Sequence, residues 1–271
     1  MPELPEVETT RRGIAPHIVG KKVRQVVIRN PQLRWPIPAE LATHIVQNTL
    51  RSIERRGKYL LLHFDEGTAL WHLGMSGSLR IVTANTTPGK HDHVDWVFSS
   101  KHVLRFNDPR RFGALLWTTQ DPRQHNLLKQ LGPEPLTAEF NADYVYQKSR
   151  KRTQAIKTWL MDSKVVVGVG NIYANEALFA SGISPSKPAH KLSKAKGELL
   201  VQHVQRILSA AILRGGTTLR DFVGSDGKPG YFAQELLVYG RGNLPCKICG
   251  KILVESRLGQ RSTVFCRHCQ K

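Results

Sequence analysis

The sequence has no long hydrophobic run and no sequence repeat. No stretch of its 271 residues approaches the length of a membrane-spanning helix, which argues against an integral membrane protein. No charged-then-apolar segment of the kind that directs secretion precedes the first helical pattern, so we expect a cytoplasmic protein. Neither an internal repeat nor a low-complexity tract is present. The length and a hydrophobic share of 40% indicate a globular chain with room for about two domains.

Acidic residues are scarce. The chain has 21 Asp and Glu against 40 Lys and Arg, and its net charge is +19. Such an excess predicts a polyanionic partner, with nucleic acid as the first candidate and an anionic membrane as the second. No basic amphipathic segment favours the membrane, and no lipidation motif is present. We therefore expect a nucleic-acid-binding protein.

Cysteines are few and confined to one end of the sequence: Cys246, Cys249, Cys266 and Cys269. They form two C-x2-C pairs, which supply four thiolates for a tetrahedral zinc ion, and the residues between the pairs suit a β-hairpin. Because all four coordination positions are taken by cysteine, we expect a structural zinc rather than a catalytic one. A pair of disulfides is the alternative, which the expected cytoplasmic location disfavours.

The first ten residues, "MPELPEVETT", have the pattern of a helix N-terminus, with prolines and acids in the first turn. That is the ordinary interpretation. A second one follows if Met1 is removed, because the chain would then begin with Pro2. Its secondary amine, with a pKa of about 8, would be a nucleophile beside Glu3 and Glu6.

Two patterns divide the rest of the chain. Residues 21–120 consist mostly of short runs rich in Val, Leu, Ile and aromatics, separated by turn residues, which predicts an antiparallel β-sandwich. Helical patterns follow at about 153–163, 171–180 and 192–214. The segment "LGPEPLTAEFN" has the composition of a linker, and short strands surround the cysteines. The predicted fold class is therefore α+β.

Two motifs each allow two interpretations. In "HDHVD", alternation along a strand would place His91, His93 and Asp95 on one face, as a metal site or, more commonly, as a polar strand edge with one phosphate contact. In "DPRRFG", Phe112 follows two arginines in a turn. It is either a wedge that unstacks bases or a residue of the core.

Three other segments are candidates for binding. "HLGMSGSL" predicts a tight loop with Met75 at its tip or packed inward. Lys58 is a lone cation at the start of an apolar strand, either functional or a strand-end solubilising residue. Gly168 and Gly170 precede a predicted helix that starts at Asn171, where backbone N–H groups can bind phosphate. The pattern matches neither of the glycine-rich nucleotide-cofactor motifs.

Together these segments resemble the bacterial formamidopyrimidine-DNA glycosylase family, and the matching motifs extend from the first residue to the last. The resemblance is carried by "MPELPEVET", "HLGMSGSL", "KHDHVD", "DPRRFGA", "WLMD", "VGVGNIYANEALF", "GGTTLRDF", "SDGKPGYFAQELLVYGR" and the cysteine pairs. It implies an N-terminal β-sandwich domain with flanking helices, a helix–two-turn–helix domain and a β-hairpin zinc finger. The expected ranges are 1–130 for the N-terminal domain, 131–152 for a linker, 153–235 for the helical domain and 236–271 for the finger.

The resemblance also implies an activity. The family excises oxidised purines, chiefly 8-oxoguanine and formamidopyrimidines, from duplex DNA, and then cuts the strand at the abasic site by β,δ-elimination. By this resemblance Pro2 is the nucleophile, Glu3 is the general acid and base, Glu6 supports the site and Lys58 is an acid and phosphate contact. One structural zinc ion, a monomeric state and a bacterial cytoplasmic location are expected.

The resemblance assigns the remaining site residues to DNA. Contacts with the backbone are expected from His91, Arg110, Arg152, Lys157, Asn171 and Arg261, with Arg261 also linked to the second elimination. The space left by a flipped nucleotide is expected to be filled by Met75, Arg110 and Phe112. Position 152 is Arg where some relatives carry Lys, which makes its assignment less specific.

Two rival functions stay open at this point. One is an endonuclease VIII-like glycosylase for oxidised pyrimidines, with the same nucleophile and zinc. The other is a non-catalytic zinc-ribbon protein that only binds nucleic acid, which explains the charge and the cysteines but leaves "MPELPE" unexplained.

Overall fold

The computed structural model describes residues 2–217 and 235–271, and these form two compact units. The first unit contains residues 2–130 and 214–217, and the second contains residues 131–213 and 235–271. The boundary after residue 130 lies where the linker is expected to begin. Most of "GGTTLRDF" and the segment "SDGKPGYFAQ" lie outside the described residues.

The first unit begins with helix α1, Leu4–Ile18. Leu4, Val7, Ile14 and Ile18 recur at helical spacing and are buried, so one face of the helix joins the core. Pro5 occupies the first turn, where the missing N–H costs nothing. The helix predicted from the first ten residues is present.

Two four-stranded antiparallel sheets follow. One has the order β1-β6-β7-β5 and the other β2-β3-β4-β8. The strands and the short helix between the first two are β1 Val23–Ile28, α2 Leu41–Ile45, β2 Ser52–Arg56, β3 Tyr59–His63, β4 Thr68–His72, β5 Ser78–Thr83, β6 Asp92–Phe98, β7 His102–Asn107 and β8 Ala114–Thr118.

The core of this unit lies between the two sheets. The ring centroids of Trp71 in β4 and Trp96 in β6 are 5.0 Å apart, and Phe106 in β7 packs edge-on against Trp71 at 5.5 Å. All three side chains are fully buried. Residues of both sheets therefore share one hydrophobic core, which confirms the predicted sandwich.

The second unit is helical and ends in a hairpin. Its elements are α3 Ala142–Ser149, α4 Ile156–Leu160, α5 Asn171–Ala180, α6 Lys194–Leu213, β9 Val254–Leu258 and β10 Arg261–Phe265. The helices expected at 153–163, 171–180 and 192–214 are present, the first of them shorter than expected. The segment expected to be a linker contains α3, which packs on α6 and is capped by the Asn141 side chain. None of the helices in the described ranges is both long and apolar enough to cross a membrane.

An ionic cluster fastens α1 to β2. The Glu8 carboxylate accepts hydrogen bonds from Arg11 and Arg12 on its own helix and from Arg55 on β2. Burial opposes the charge of Glu8, but these arginines outweigh burial and lower its pKa from 4.5 to about 2. Because the folded pKa is depressed, the stabilisation is present above about pH 4.5 and is lost as the pH falls toward 2.

We expect Glu8→Gln to lower the free energy of unfolding at pH 7 by about 1–3 kcal/mol, because charge-assisted hydrogen bonds are lost. The difference from the parent protein should narrow between pH 5 and pH 3. Urea titration monitored by tryptophan fluorescence measures the difference in free energy of unfolding, since four of the five tryptophans lie in this unit. Asp65→Asn is the control, because the Asp65–Arg51 pair is exposed and contributes little. A constant difference across this pH range would contradict the assignment.

Candidate functional site

The beginning of α1 is held in place. Pro2, Glu3 and Glu6 are buried, with both glutamates only 2% exposed. The Glu6 carboxylate accepts a hydrogen bond from the Glu3 backbone N–H through Oε2 and another from the Thr217 N–H through Oε1, each at 2.8 Å. The residues expected to carry the chemistry therefore lie at an ordered N-terminus.

The chain returns to this N-terminus at residues 214–217. Gly216 has a φ of +84° and lies so close to Glu6 that a Cβ at this position would be 3.1 Å from Glu6 Oε1. A larger residue would be strained both by this φ and by this contact. The partner of Glu6 was not identified from the sequence, although "GGT" marks a tight backbone approach.

Lys58 lies at the same end of the first unit as Pro2. The Arg11 side chain bonds to Ile53 O and the Glu8 side chain bonds to Arg55, so α1 and β2 run in opposite directions. The start of α1 is therefore near the end of β2, where Lys58 follows in the turn to β3. Lys58 is half-buried in this turn.

His72 in β4 pairs with Tyr59, the residue after Lys58, and the sequence did not single it out. Burial, with the nearby charges of Lys58 and Arg34, lowers its pKa from 6.5 to about 4. Its Nδ1 accepts a hydrogen bond from the Gly74 N–H at 3.0 Å, so the neutral ring carries its proton on Nε2. His72 is therefore a neutral hydrogen-bond donor near Lys58. In the sequence, its position just before the "LGMSG" loop was the feature that could have drawn attention to it.

Phe112 and Arg110 are exposed on the first unit. The Phe112 side chain is 45% exposed, and the Arg110 guanidinium lies 4.8 Å from its ring centroid. Of the two interpretations of "DPRRFG", placement of Phe112 in the core is wrong. Met75 is half-buried in the loop between β4 and β5.

The "HDHVD" residues do not converge on a metal. His91 is half-buried, whereas His93 is buried and donates through Nε2 to the Asp108 carbonyl at 2.9 Å. Asp95 forms salt bridges with Arg29 and Arg105. Within residues 2–217 and 235–271, only the four cysteines cluster in a way that could hold a metal ion.

The second unit presents three of the expected DNA-contacting residues. Arg152 and Arg261 are exposed, and Asn171 is the first residue of α5. Gly170 is the N-cap of this helix and is extended, as the glycine pattern suggested.

Lys157, from which a contact with the DNA backbone was expected, is buried. It is 1% exposed, and its ammonium donates to Ser262 O at 2.8 Å and to Thr263 Oγ1 at 2.7 Å. A buried ammonium is tolerated because such hydrogen bonds satisfy it. The side chain therefore holds β10 next to Arg261 rather than facing solvent.

The four cysteines lie together at the hairpin. Cys246 Sγ is 4.0 Å from Cys269 Sγ, and Cys249 Sγ is 3.5 Å from Cys266 Sγ. These separations are too long for disulfides, whose S–S bonds are about 2.05 Å. All four sulfur atoms lie within 4.8 Å of one another, which matches the edges of a tetrahedron with Zn–S bonds of about 2.3 Å.

Glu176 attaches the finger to α5. Its carboxylate accepts three backbone hydrogen bonds at 2.8–2.9 Å, from Leu237, Val238 and Tyr239. On the same helix, Asn175 Oδ1 accepts from the Val264 N–H of β10. The buried polar residues in "NIYANEALF" thus orient the segment that carries the cysteines, a role that its helical pattern did not reveal.

Three family models match the chain. They are the formamidopyrimidine-DNA glycosylase N-terminal domain over residues 1–115, the H2TH domain of the same glycosylase over residues 131–223, and the zinc finger found in FPG and IleRS over residues 243–271. The chain is similar over its full length to formamidopyrimidine-DNA glycosylases of Saccharophagus degradans, at 64% identity, and Teredinibacter turnerae, at 59%. Both alignments cover 100% of each chain.

Solved structures give the same result. The crystal structure of MutM (FPG) from Thermus thermophilus is 36% identical with a TM-score of 0.89, over 99% of this chain and 98% of the other. A mutant FPG of Lactococcus lactis in complex with Fapy-dG containing DNA is 34% identical with a TM-score of 0.93, over 100% of each chain. Another neighbour is a Lactococcus lactis Fpg complex with abasic site containing DNA, at 34% identity, a TM-score of 0.92 and 99% of each chain.

The fold, the ordered N-terminus and the cysteine cluster thus define a DNA glycosylase of the zinc-finger class. The chain belongs to the formamidopyrimidine-DNA glycosylase family. The family resemblance and the α+β fold predicted from the sequence are confirmed, and the cysteines fit one structural zinc ion.

We expect Cys249→Ser to lower bound zinc from about one ion per chain and to abolish tight binding to duplex DNA, because the hairpin then loses its metal crosslink. Metal analysis and fluorescence anisotropy measure the two effects. The control is Ser256→Ala, a change in β9 that leaves every ligand intact. A Cys249→Ser protein without zinc that bound duplex DNA normally would contradict the expected role of the finger.

Proposed function

We propose that the chain excises oxidised purines, chiefly 8-oxoguanine and formamidopyrimidines, from duplex DNA and then cleaves the strand at the abasic site. The observation that supports this proposal is the buried, hydrogen-bonded start of α1, in which Glu3 and Glu6 closely follow Pro2 in the sequence. A zinc-ribbon protein that only binds nucleic acid has no need of such a terminus.

The chemistry assigned to Pro2 requires that Met1 be removed, because only then is its nitrogen an amine. The amine attacks C1′ of the damaged nucleotide, and the bond from C1′ to the base breaks, with the bonding pair leaving on the base. Ring opening at O4′ gives a cationic iminium, which acidifies the C2′ proton. Loss of that proton expels the 3′ phosphate, and a second elimination expels the 5′ phosphate.

The neighbouring residues support these proton transfers. Glu3 acts as general acid and base, and Lys58 acts as an acid and phosphate contact. Glu6 is a positioning residue, since its carboxylate is engaged by the N–H groups of Glu3 and Thr217. The helix N-terminus disfavours an ammonium at Pro2, whereas the two glutamates favour one.

Phosphate binding is assigned to residues of both units. The side chains proposed to contact the DNA backbone are His91, Arg110, Arg152, Asn171 and Arg261. Arg261 also assists the second elimination. Lys157 forms hydrogen bonds with Ser262 and Thr263, so we assign it an indirect role in DNA binding. It holds the strand that begins with Arg261. The net charge of +19 supports this electrostatic binding.

Flipping the damaged nucleotide leaves a space in the duplex. We assign Met75, Arg110 and Phe112, here called the insertion group, to fill it, with Arg110 pairing to the orphaned base. The exposure of Phe112 and the stacking of Arg110 on its ring support the assignment, because a solvent-exposed aromatic side chain is suited to stack on bases.

Three further features belong to the proposal. The enzyme acts as a monomer in the bacterial cytoplasm, where the chromosome is the substrate. Residues 1–130 form its catalytic domain, residues 153–235 its helical DNA-binding domain and residues 236–271 its zinc finger, with 131–152 connecting the first two.

One solved neighbour is a Lactococcus lactis Fpg complex with oxidised pyrimidine containing DNA. The preference for purines is therefore the part of the proposal that most needs a direct assay.

We expect the processed protein, with Pro2 at its N-terminus, to release 8-oxoguanine from a duplex and to be trapped on that duplex by borohydride. An N-terminal tag left in place should abolish both activities, because the Pro2 nitrogen is then an amide. Gel assays of strand cleavage and of the trapped complex measure them. Equal trapping of tagged and untagged protein would mean that a lysine is the nucleophile. A parallel duplex with an oxidised pyrimidine tests the rival specificity, which faster release from that duplex would favour.

A further inference from the structure

Asp108 is a fully buried carboxylate to which the reaction described above gives no role. It lies at the start of the "DPRRFG" turn. Its Oδ1 accepts a hydrogen bond from the Ser76 hydroxyl at 2.9 Å, and its Oδ2 accepts one from the Gly113 N–H at 2.8 Å. A buried carboxylate needs such donors, so both contacts are costly to lose.

These two donors come from different loops. Ser76 directly follows Met75 in the loop between β4 and β5, and Gly113 directly follows Phe112 in the loop between β7 and β8. The carboxylate of Asp108 therefore connects the residues that adjoin two members of the insertion group.

Ser76 adds a link to the third member. Its buried hydroxyl donates to Asp108 and also lies 3.4 Å from the Arg110 N–H, which donates to it. The Ser76 side chain thus contacts the turn that carries Arg110, and the Ser76 backbone is joined directly to Met75. The link is made of one side chain in one defined orientation.

The backbones of the two loops are also in direct contact. Gly74 has a φ of +66°, and a Cβ at this position would lie 2.4 Å from Gly113 N and from the Phe112 carbonyl carbon. Only glycine fits a contact this close. The loops are therefore packed directly against each other.

The backbone of Asp108 extends the connection to the "HDHVD" strand. Its N–H donates to His91 O at 3.0 Å, and its carbonyl accepts from the His93 ring. Asp108 therefore forms hydrogen bonds through both its side chain and its backbone. A movement of one loop away from the other would break some of these bonds.

We propose that Ser76 and Asp108 are positioning residues that hold the insertion group together as one preformed unit. This proposal rests on the proposed function, because it assumes that the insertion group fills the space left by the flipped nucleotide. A group assembled before binding loses less conformational entropy when it enters the duplex. Its members should therefore act cooperatively, and the cooperation should depend on the Ser76 hydroxyl.

The test is a mutant cycle in two backgrounds. Met75→Ala, Phe112→Ala and the double variant are prepared in the parent protein and in Ser76→Ala, and single-turnover release of 8-oxoguanine is measured for each. In the parent, the double variant should lose less activity than the product of the two single losses, because either change alone disrupts the group. In the Ser76→Ala background the losses should multiply. The same degree of coupling in both backgrounds would overturn the proposal.

Ser76→Ala should itself slow base release by about three- to tenfold, the effect of one buried hydrogen bond. Cleavage of a preformed abasic site, which requires no base excision, should change by less than about twofold. Equal losses on both substrates would indicate a general defect and would overturn the proposal. Ser181→Ala is the matched control, since it removes a buried hydroxyl that bonds only within α5 and its C-terminal cap.

The carboxylate is tested by two substitutions. Asp108→Asn retains an oxygen for the Gly113 N–H and an amide that can donate to Ser76, so it should keep most of the coupling. Asp108→Ala should lose the coupling, and if it fails to fold, the Ser76→Ala cycle still decides the question. Parent protein that releases no 8-oxoguanine would contradict the proposed function. A parent that releases it while Met75→Ala and Phe112→Ala match the parent would contradict only the insertion group and the positioning role built on it.

Discussion

The carboxylate of Glu6 accepts hydrogen bonds from two backbone N–H groups that are far apart in the sequence, those of Glu3 and Thr217. The first belongs to the start of α1 and the second to the segment that returns to it. Because the carboxylate is buried, the loss of either hydrogen bond is costly. The position of Pro2, and with it the proposed chemistry, depends on this constraint.

Buried ionic side chains also form hydrogen bonds of this kind at other parts of the molecule. Glu176 binds three backbone N–H groups at the start of the finger, Asp108 joins two loops, and the buried ammonium of Lys157 binds β10. In each case one buried ionic side chain forms a hydrogen bond with a separate segment, through backbone groups or through a hydroxyl. Charge-assisted hydrogen bonds are stronger than neutral ones, and their geometry is specific. The exposed residues proposed to contact DNA, such as Phe112 and Arg261, thus adjoin segments that buried residues hold in place.

Sequence patterns within single segments predicted the fold class and the metal site. Contacts between residues that are far apart in the sequence could not be predicted in this way. The cysteine spacing identified the metal centre, and the short apolar runs separated by turn residues identified the sandwich. The "DPRRFG" pattern left the side of Phe112 undecided, because a turn places its aromatic residue inward or outward according to contacts made elsewhere. Burial of Lys157 depends on Ser262 and Thr263, more than a hundred residues away, and no local signal encodes that contact.

The proposed mechanism depends on a covalent bond between the nitrogen of Pro2 and DNA. The most direct measurement is peptide mapping by mass spectrometry of the complex reduced with borohydride on a duplex that contains 8-oxoguanine. We predict that the reduced sugar adduct is found on the N-terminal peptide, at Pro2. An adduct found on a lysine, such as Lys58 at the same end of the first unit, would contradict it.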